Sequence, residues 1–335
     1  MAKCGDTWFF EKPVYIRSWA SCVGTKEGEG PLGPDFDIVG KDNRFGQKTW
    51  EQAESRMVQI ACQKAVFKSG LKPQQIGCLL GGDLLNQCIS TSFAARQLGW
   101  QTIGIYGACS TMAEGIILAS ALIESGLEKT PLCAASSHFC TAERQYRYPL
   151  EYGGQRPQTS QWTATACGAV VLDGEQGKVR VTAATAGRIY DPGISDTNNM
   201  GAAMAQAAYE TIAAYFKDSG TSPADYDLIV TGDLSMVGKD IVEKLFRDDG
   251  IDMSVNYNDC GLLLYYVNEQ DVHSGGSGCG CSAAVLCARI LPELEKGNLH
   301  RVLFCGTGAL LSPTSANQGE SIPGICHLVC LESAL

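Results

Sequence analysis

Apolar and polar positions along this chain fall into blocks, and two of the blocks are written twice. SGLKPQQIGCLLGGDL (Ser69–Leu84) reads as a helix ending at Ser-Gly, a proline turn, and an apolar strand closing on Gly-Asp-Leu. SGTSPADYDLIVTGDL (Ser219–Leu234) repeats that plan 150 residues on. GACSTMAEGIILASALIESGLEKTPLCAASSH (Gly107–His138) returns, 171 residues on, as GCGCSAAVLCARILPELEKGNLHRVLFCGTGA (Gly278–Ala309). Both copies run from a glycine-rich turn through an apolar helix to an apolar strand, PLCAASS or RVLFCGT. Strands that are apolar throughout belong to sheets covered on both faces. The pattern predicts an α/β fold of two internally duplicated halves packed as one body. The turn-like DGEQG (Asp173–Gly177) divides it into residues 1–175 and 176–335.

Composition leaves this picture intact and narrows the partners. The 335 residues are 45% hydrophobic, ample for such a core. A net charge of −10, with no run of Lys or Arg, argues against nucleic acid, so an anionic ligand would need a local cationic patch. MAKCGDTWFFEKPVYIRS has no continuous apolar stretch of the kind a signal peptide carries, and Gly115–Ile123 is too short to cross a bilayer. A soluble or peripheral protein is expected. Sixteen cysteines contain no C-x-x-C pair, so we expect reduced, buried thiols rather than a metal site, and no motif calls for a cofactor.

Two matching halves bring their strand ends face to face, where such sheets bind ligands. Cys109, Asp83, Asp233 and the Gly278–Cys281 turn are expected to converge there. Cys109 stands between a strand, QTIGIYG, and a helix; the helix dipole would favour thiolate there, or the residue is a small one chosen for a tight turn. A nucleophile also needs a base. Of four histidines, His138 ends a strand on the same side and is the best placed; His300 reads as surface, His273 as loop, and His327 as a core histidine. Asp83 and Asp233 hold equivalent strand ends, as helix caps or as two carboxylates at one cleft. The long connection from His138 to Trp162 holds Arg144, Arg147 and Arg156 among Tyr146, Tyr148 and Tyr152. Guanidinium forks with interleaved rings suit a planar anion; a solvated loop or a dimer contact is the plainer reading. The glycines of GGSGCGCS fit close backbone approach better than a phosphate cradle.

A duplicated α/β body with GACS before a helix resembles the thiolase-like superfamily of condensing enzymes, whose layered αβαβα fold the resemblance implies. In that superfamily the cysteine of the first half is acylated, and His and Asn of the second half complete the site. Cys109 matches the nucleophile, but Asp233 stands in or near the histidine's place and Gly280 or a neighbour in the asparagine's. WFFEKPVYIRSWASCVGTKEGEGPLGPDFD, SSHFCTAERQYRYPLEYGGQRPQT, YNDCGLLLY and TGALLSPTS are similar to the stage V sporulation protein AD family. That resemblance implies a peripheral member of the SpoVA system on the spore inner membrane, working beside other SpoVA membrane proteins. It implies binding of dipicolinic acid (pyridine-2,6-dicarboxylate) for uptake into the developing spore and release in germination, without turnover. Ligand-binding residues are then expected among Asp83, Cys109, His138, Arg144, Arg147, Asp233 and Gly280. The alternative is an active thiolase or ketoacyl-synthase relative using Cys109 on acyl thioesters. The superfamily also implies a homodimer paired through Gln101–Tyr106.

Overall fold

A computed structural model describes residues 1–335. Its main sheet runs, edge to edge, through Tyr257–Asp259, Leu228–Thr231, Arg301–Ala309, Gly324–Ser333, Val179–Thr185, Tyr15–Val23, Ala166–Asp173, Leu132–Ser137, Leu79–Asp83 and Thr102–Gly104. Counted outward from the middle, each half takes its principal strands in the chain order first, fifth, fourth, second, third. The strands of the sequence repeats, Leu79–Asp83 with Leu228–Thr231 and Leu132–Ser137 with Arg301–Ala309, therefore hold matching positions. The halves meet where Tyr15 and Ile16 pair antiparallel with Arg180 and Val179.

Helices cover these sheets on three levels. Trp50–Ser69 and Ile89–Leu98 pack on the outer face of the first half, and Met200–Ser219 packs on the outer face of the second. Thr111–Ser125 lies between, touching Leu132–Ser137 and Leu79–Asp83 on one side and Arg301–Ala309 and Gly324–Ser333 on the other. The stretch Ala108–Ser125 is long and apolar enough to cross a membrane, but 72% of it is buried between the two halves of the sheet, so its place in the core accounts for its composition. The apolar residues form three clusters. The largest, around Met112, Ile116, Val285 and Leu172, fills the middle; the other two lie beneath the outer helices. Apolar strands without alternation are the result, since each strand is packed on both faces.

Two expectations change. QTIGIYG forms a strand only at Thr102–Gly104, an exposed edge. The connection after His138 is not all loop: Phe139–Tyr146 is a helix, followed by a short 3₁₀ turn at Leu150–Tyr152.

Candidate functional site

Cys109 sits in a 3₁₀ turn, Ala108–Ser110, that feeds the helix Thr111–Ser125. Ala108 takes φ +49°, a left-handed conformation that costs an alanine about 1–2 kcal/mol. Oγ of Ser110 donates to the carbonyl of Gly107, and Oγ1 of Thr111 to that of Ala108, at 2.6 Å each, and these bonds hold the turn. Cys109 is 6% exposed, at the floor of a cavity of about 30 Å³. Tyr106, Tyr146, Arg147 and Ser277 are among the other lining residues, and none of the twelve is a histidine or an asparagine.

Asp233 meets the thiol from the second half. Its carboxylate accepts from Ser277 Oγ (2.9 Å), the Gly278 N–H (3.0 Å) and Thr307 Oγ1 (2.8 Å), and it lies near enough to the Cys109 thiol to perturb its titration. Burial raises the pKa of both groups, and Asp233 raises that of the thiol further, to well above its ordinary value. Of the two readings of Cys109, helix-favoured thiolate or small turn residue, these surroundings disfavour the thiolate. A helix dipole is worth about 0.3–1 kcal/mol, which does not offset burial of the thiol together with a neighbouring negative charge. The carboxylate wins, and the proton stays on sulfur.

The remaining sequence candidates separate. Asp83 is a cap: its carboxylate accepts from the Leu85 N–H (2.9 Å) and the Thr91 N–H (2.8 Å). It lies beside buried Glu54 rather than in the Cys109 cavity, and Glu54, which accepts from Ser136 and Thr141, is pushed up to about 8 by burial and by the charge of Asp83. His138 does not serve Cys109. Its Nδ1 accepts from the Cys140 N–H (3.1 Å), capping the helix Phe139–Tyr146, and its Nε2 meets the Asn43 carbonyl (2.8 Å). Burial lowers its pKa to about 4, so the ring stays neutral. His327 accepts from the Gly187 N–H (3.1 Å) and is likewise held near 4 by burial.

Gly280 offers no ligand contact. Its N–H donates to Ser137 Oγ (3.1 Å), and a Cβ there would lie 2.2 Å from the Ala166 carbonyl oxygen. Packing therefore leaves no room for a side chain at Gly280. Arg144 points away from the cavity and pairs with Glu51 at the surface. Arg147 does reach the site: its side chain is 7% exposed, Nη1 pairs with Glu143, and Nε and Nη2 have no partner.

Sequence reasoning missed the hydroxyl groups around Asp233. Thr307 was findable: it occupies, 171 residues on, the strand position of Ser136, which serves Glu54 in the first half. The Tyr106–Tyr146 hydroxyl pair (2.7 Å) closing the cavity mouth had no such signal.

A sequence profile of the family described as stage V sporulation protein AD (SpoVAD) matches residues 4–332. The chain belongs to the stage V sporulation protein AD family. Stage V sporulation protein AD of Bacillus subtilis (strain 168) is 46% identical over 329 residues, covering 98% of this chain and 97% of the relative. Among solved structures, a variant of OleA from Xanthomonas campestris superposes with TM-score 0.59 at 16% identity, covering 97% of this chain and 99% of that one. 3-Oxoacyl-[acyl-carrier-protein] synthase III from Aquifex aeolicus VF5 gives 0.54 at 13% identity, with 97% and 99% covered. The fold is thiolase-like, and family membership ties the chain to sporulation.

Proposed function

We propose that this sporulation protein binds dipicolinate at the junction of its halves without turning it over, serving uptake into the developing spore and release in germination. The observation that carries this reading is the buried carboxylate of Asp233 close to the Cys109 thiol, with Arg147 lining the same cavity as Cys109. A condensing enzyme needs a group that removes the thiol proton; here an acid that stabilises the protonated thiol stands in that place. A guanidinium with unpartnered N–H groups suits the carboxylates of a flat dianion. On this reading the protein sits peripherally on the spore inner membrane beside the SpoVA membrane proteins. It pairs as a homodimer through the unpaired edge at Thr102–Gly104, where Ile103 is 46% and Tyr106 45% exposed.

The retained cysteine on its strained turn favours a second reading, an enzyme acting on thioesters. Calorimetry with dipicolinate, alongside intact-mass measurement after incubation with acyl-CoA, separates the two. Saturable dipicolinate binding without a mass shift is expected. An acyl adduct that disappears in Cys109→Ala, with no dipicolinate binding, would replace the first reading by the second.

A further inference from the structure

On the outer face of the first half, a groove lies open where the equivalent space of the second half is filled. In the second half, Tyr209 on Met200–Ser219 and Phe246 on Ser235–Asp248 pack edge to face, with centroids 4.9 Å apart and planes 62° apart. The position 150 residues before Tyr209 is Gln59, and the facing helix Ile89–Leu98 buries only small side chains, Ala94 and Ala95 among them. Without the aromatic plug, a groove of about 460 Å³ remains between Trp50–Ser69 and Ile89–Leu98, on the outer side of the sheet from Cys109.

Its lining is polar and holds no carboxylate: Arg56, Arg96, four glutamines, a serine and Phe93. Arg56 donates from Nη1 to Gln59 Oε1 (3.2 Å), and the Arg96 guanidinium lies 4.7 Å from the centre of the Phe93 ring. Neither pairs with an acid, whereas Arg17, Arg188 and Arg301 each do. In a chain of net charge −10, two arginines sharing one groove without an acid form a local positive site. Guanidinium forks suit carboxylates. A glutamine amide both donates and accepts, which matches the N–H and C=O of a peptide backbone. A membrane surface calls for apolar side chains that protrude, and a concave groove with one aromatic does not supply them. Nucleic acid would meet a chain of its own sign of charge.

We propose that this groove receives an acidic peptide segment of a partner protein, its carboxylates on Arg56 and Arg96 and its backbone on the glutamine amides. The inference is independent of the ligand proposed for the cleft. Fluorescence anisotropy with the full chain and a short fluorescein-labelled peptide of alternating Glu and Ala tests it, beside the same peptide with Gln for Glu. The Glu peptide should bind saturably and more weakly as salt rises, and the Gln peptide should bind far less. The double variant Arg56→Glu/Arg96→Glu should weaken binding at least about fivefold, since two exposed charge contacts are reversed. Arg247→Glu/Arg289→Glu makes the same change in net charge at exposed positions outside the groove and should match wild type. Circular dichroism confirms that both variants fold. No saturable binding of the Glu peptide, or equal weakening in the two double variants, would overturn the proposal. So would a dimer that dissociates only in Arg56→Glu/Arg96→Glu, which assigns the groove to a second copy of this chain. Binding to phosphatidylglycerol vesicles that is lost in that variant, without peptide binding, would assign the groove to a membrane instead.

Discussion

Asp233→Asn tests the central chemical claim, that a carboxylate holds the Cys109 proton in place. The substitution keeps the side chain's shape and an acceptor oxygen while removing the charge. After burial, the Asp233 charge is the main cause that holds the thiol's pKa up, so removing it should favour the thiolate. Burial of the thiol is unchanged, so its pKa should fall yet remain above that of a free cysteine. The structural cost should be small. With the amide oxygen toward Ser277 and Gly278, only the bond from Thr307 must reorganise, about 0.5–1.5 kcal/mol. The assay is the rate of Cys109 alkylation by iodoacetamide from pH 7 to 10, resolved by peptide mass spectrometry because fifteen other thiols are present. Across that range the variant should be alkylated faster than wild type, with a rate that climbs more steeply toward pH 10. An unchanged pH profile, in a variant that melts within a few degrees of wild type, would refute the argument that charge at Asp233 controls the thiol.

Other expectations follow from buried groups and open edges. Glu54, at about 8 when folded against 4.5 when exposed, binds a proton that the unfolded chain releases as pH rises through that window. Its effect on stability is therefore favourable below pH 4.5 and is lost progressively toward pH 8. Glu54→Gln should flatten this decline, measured by urea unfolding at pH 5 and pH 8; equal slopes in both proteins would contradict it. Ile103→Lys puts a charge on the exposed edge strand and should convert dimer to monomer in analytical ultracentrifugation at micromolar concentration, while a wild type that is itself monomeric would remove the proposed pairing.

The α/β architecture was legible because it is repeated: residues matched at spacings of 150 and 171 occupy matching strands, and uniformly apolar strands are what two-sided burial requires. That Cys109 and Asp233 come together was legible for the same reason. What failed lay in the segment after His138, where a short helix was read as loop. Helix phase carries Arg144 outward to Glu51, while Arg147, just past the helix end at φ −126°, turns inward. Histidine is an uncommon N-cap, so nothing in the local sequence indicated that His138 would be used up in starting that helix. The glycines of GGSGCGCS suggested close backbone approach; that the Ala166 carbonyl, 114 residues away, is what approaches Gly280 was not legible.

The hydrogen-bonded seam between Tyr15–Ile16 and Val179–Arg180 limits how this protein can respond to a ligand. Two lobes stitched by backbone bonds, with the helix Thr111–Ser125 wedged between them, cannot swing like a clamshell. Whatever binds between the halves meets a body already fixed by backbone bonds, not one that closes around it.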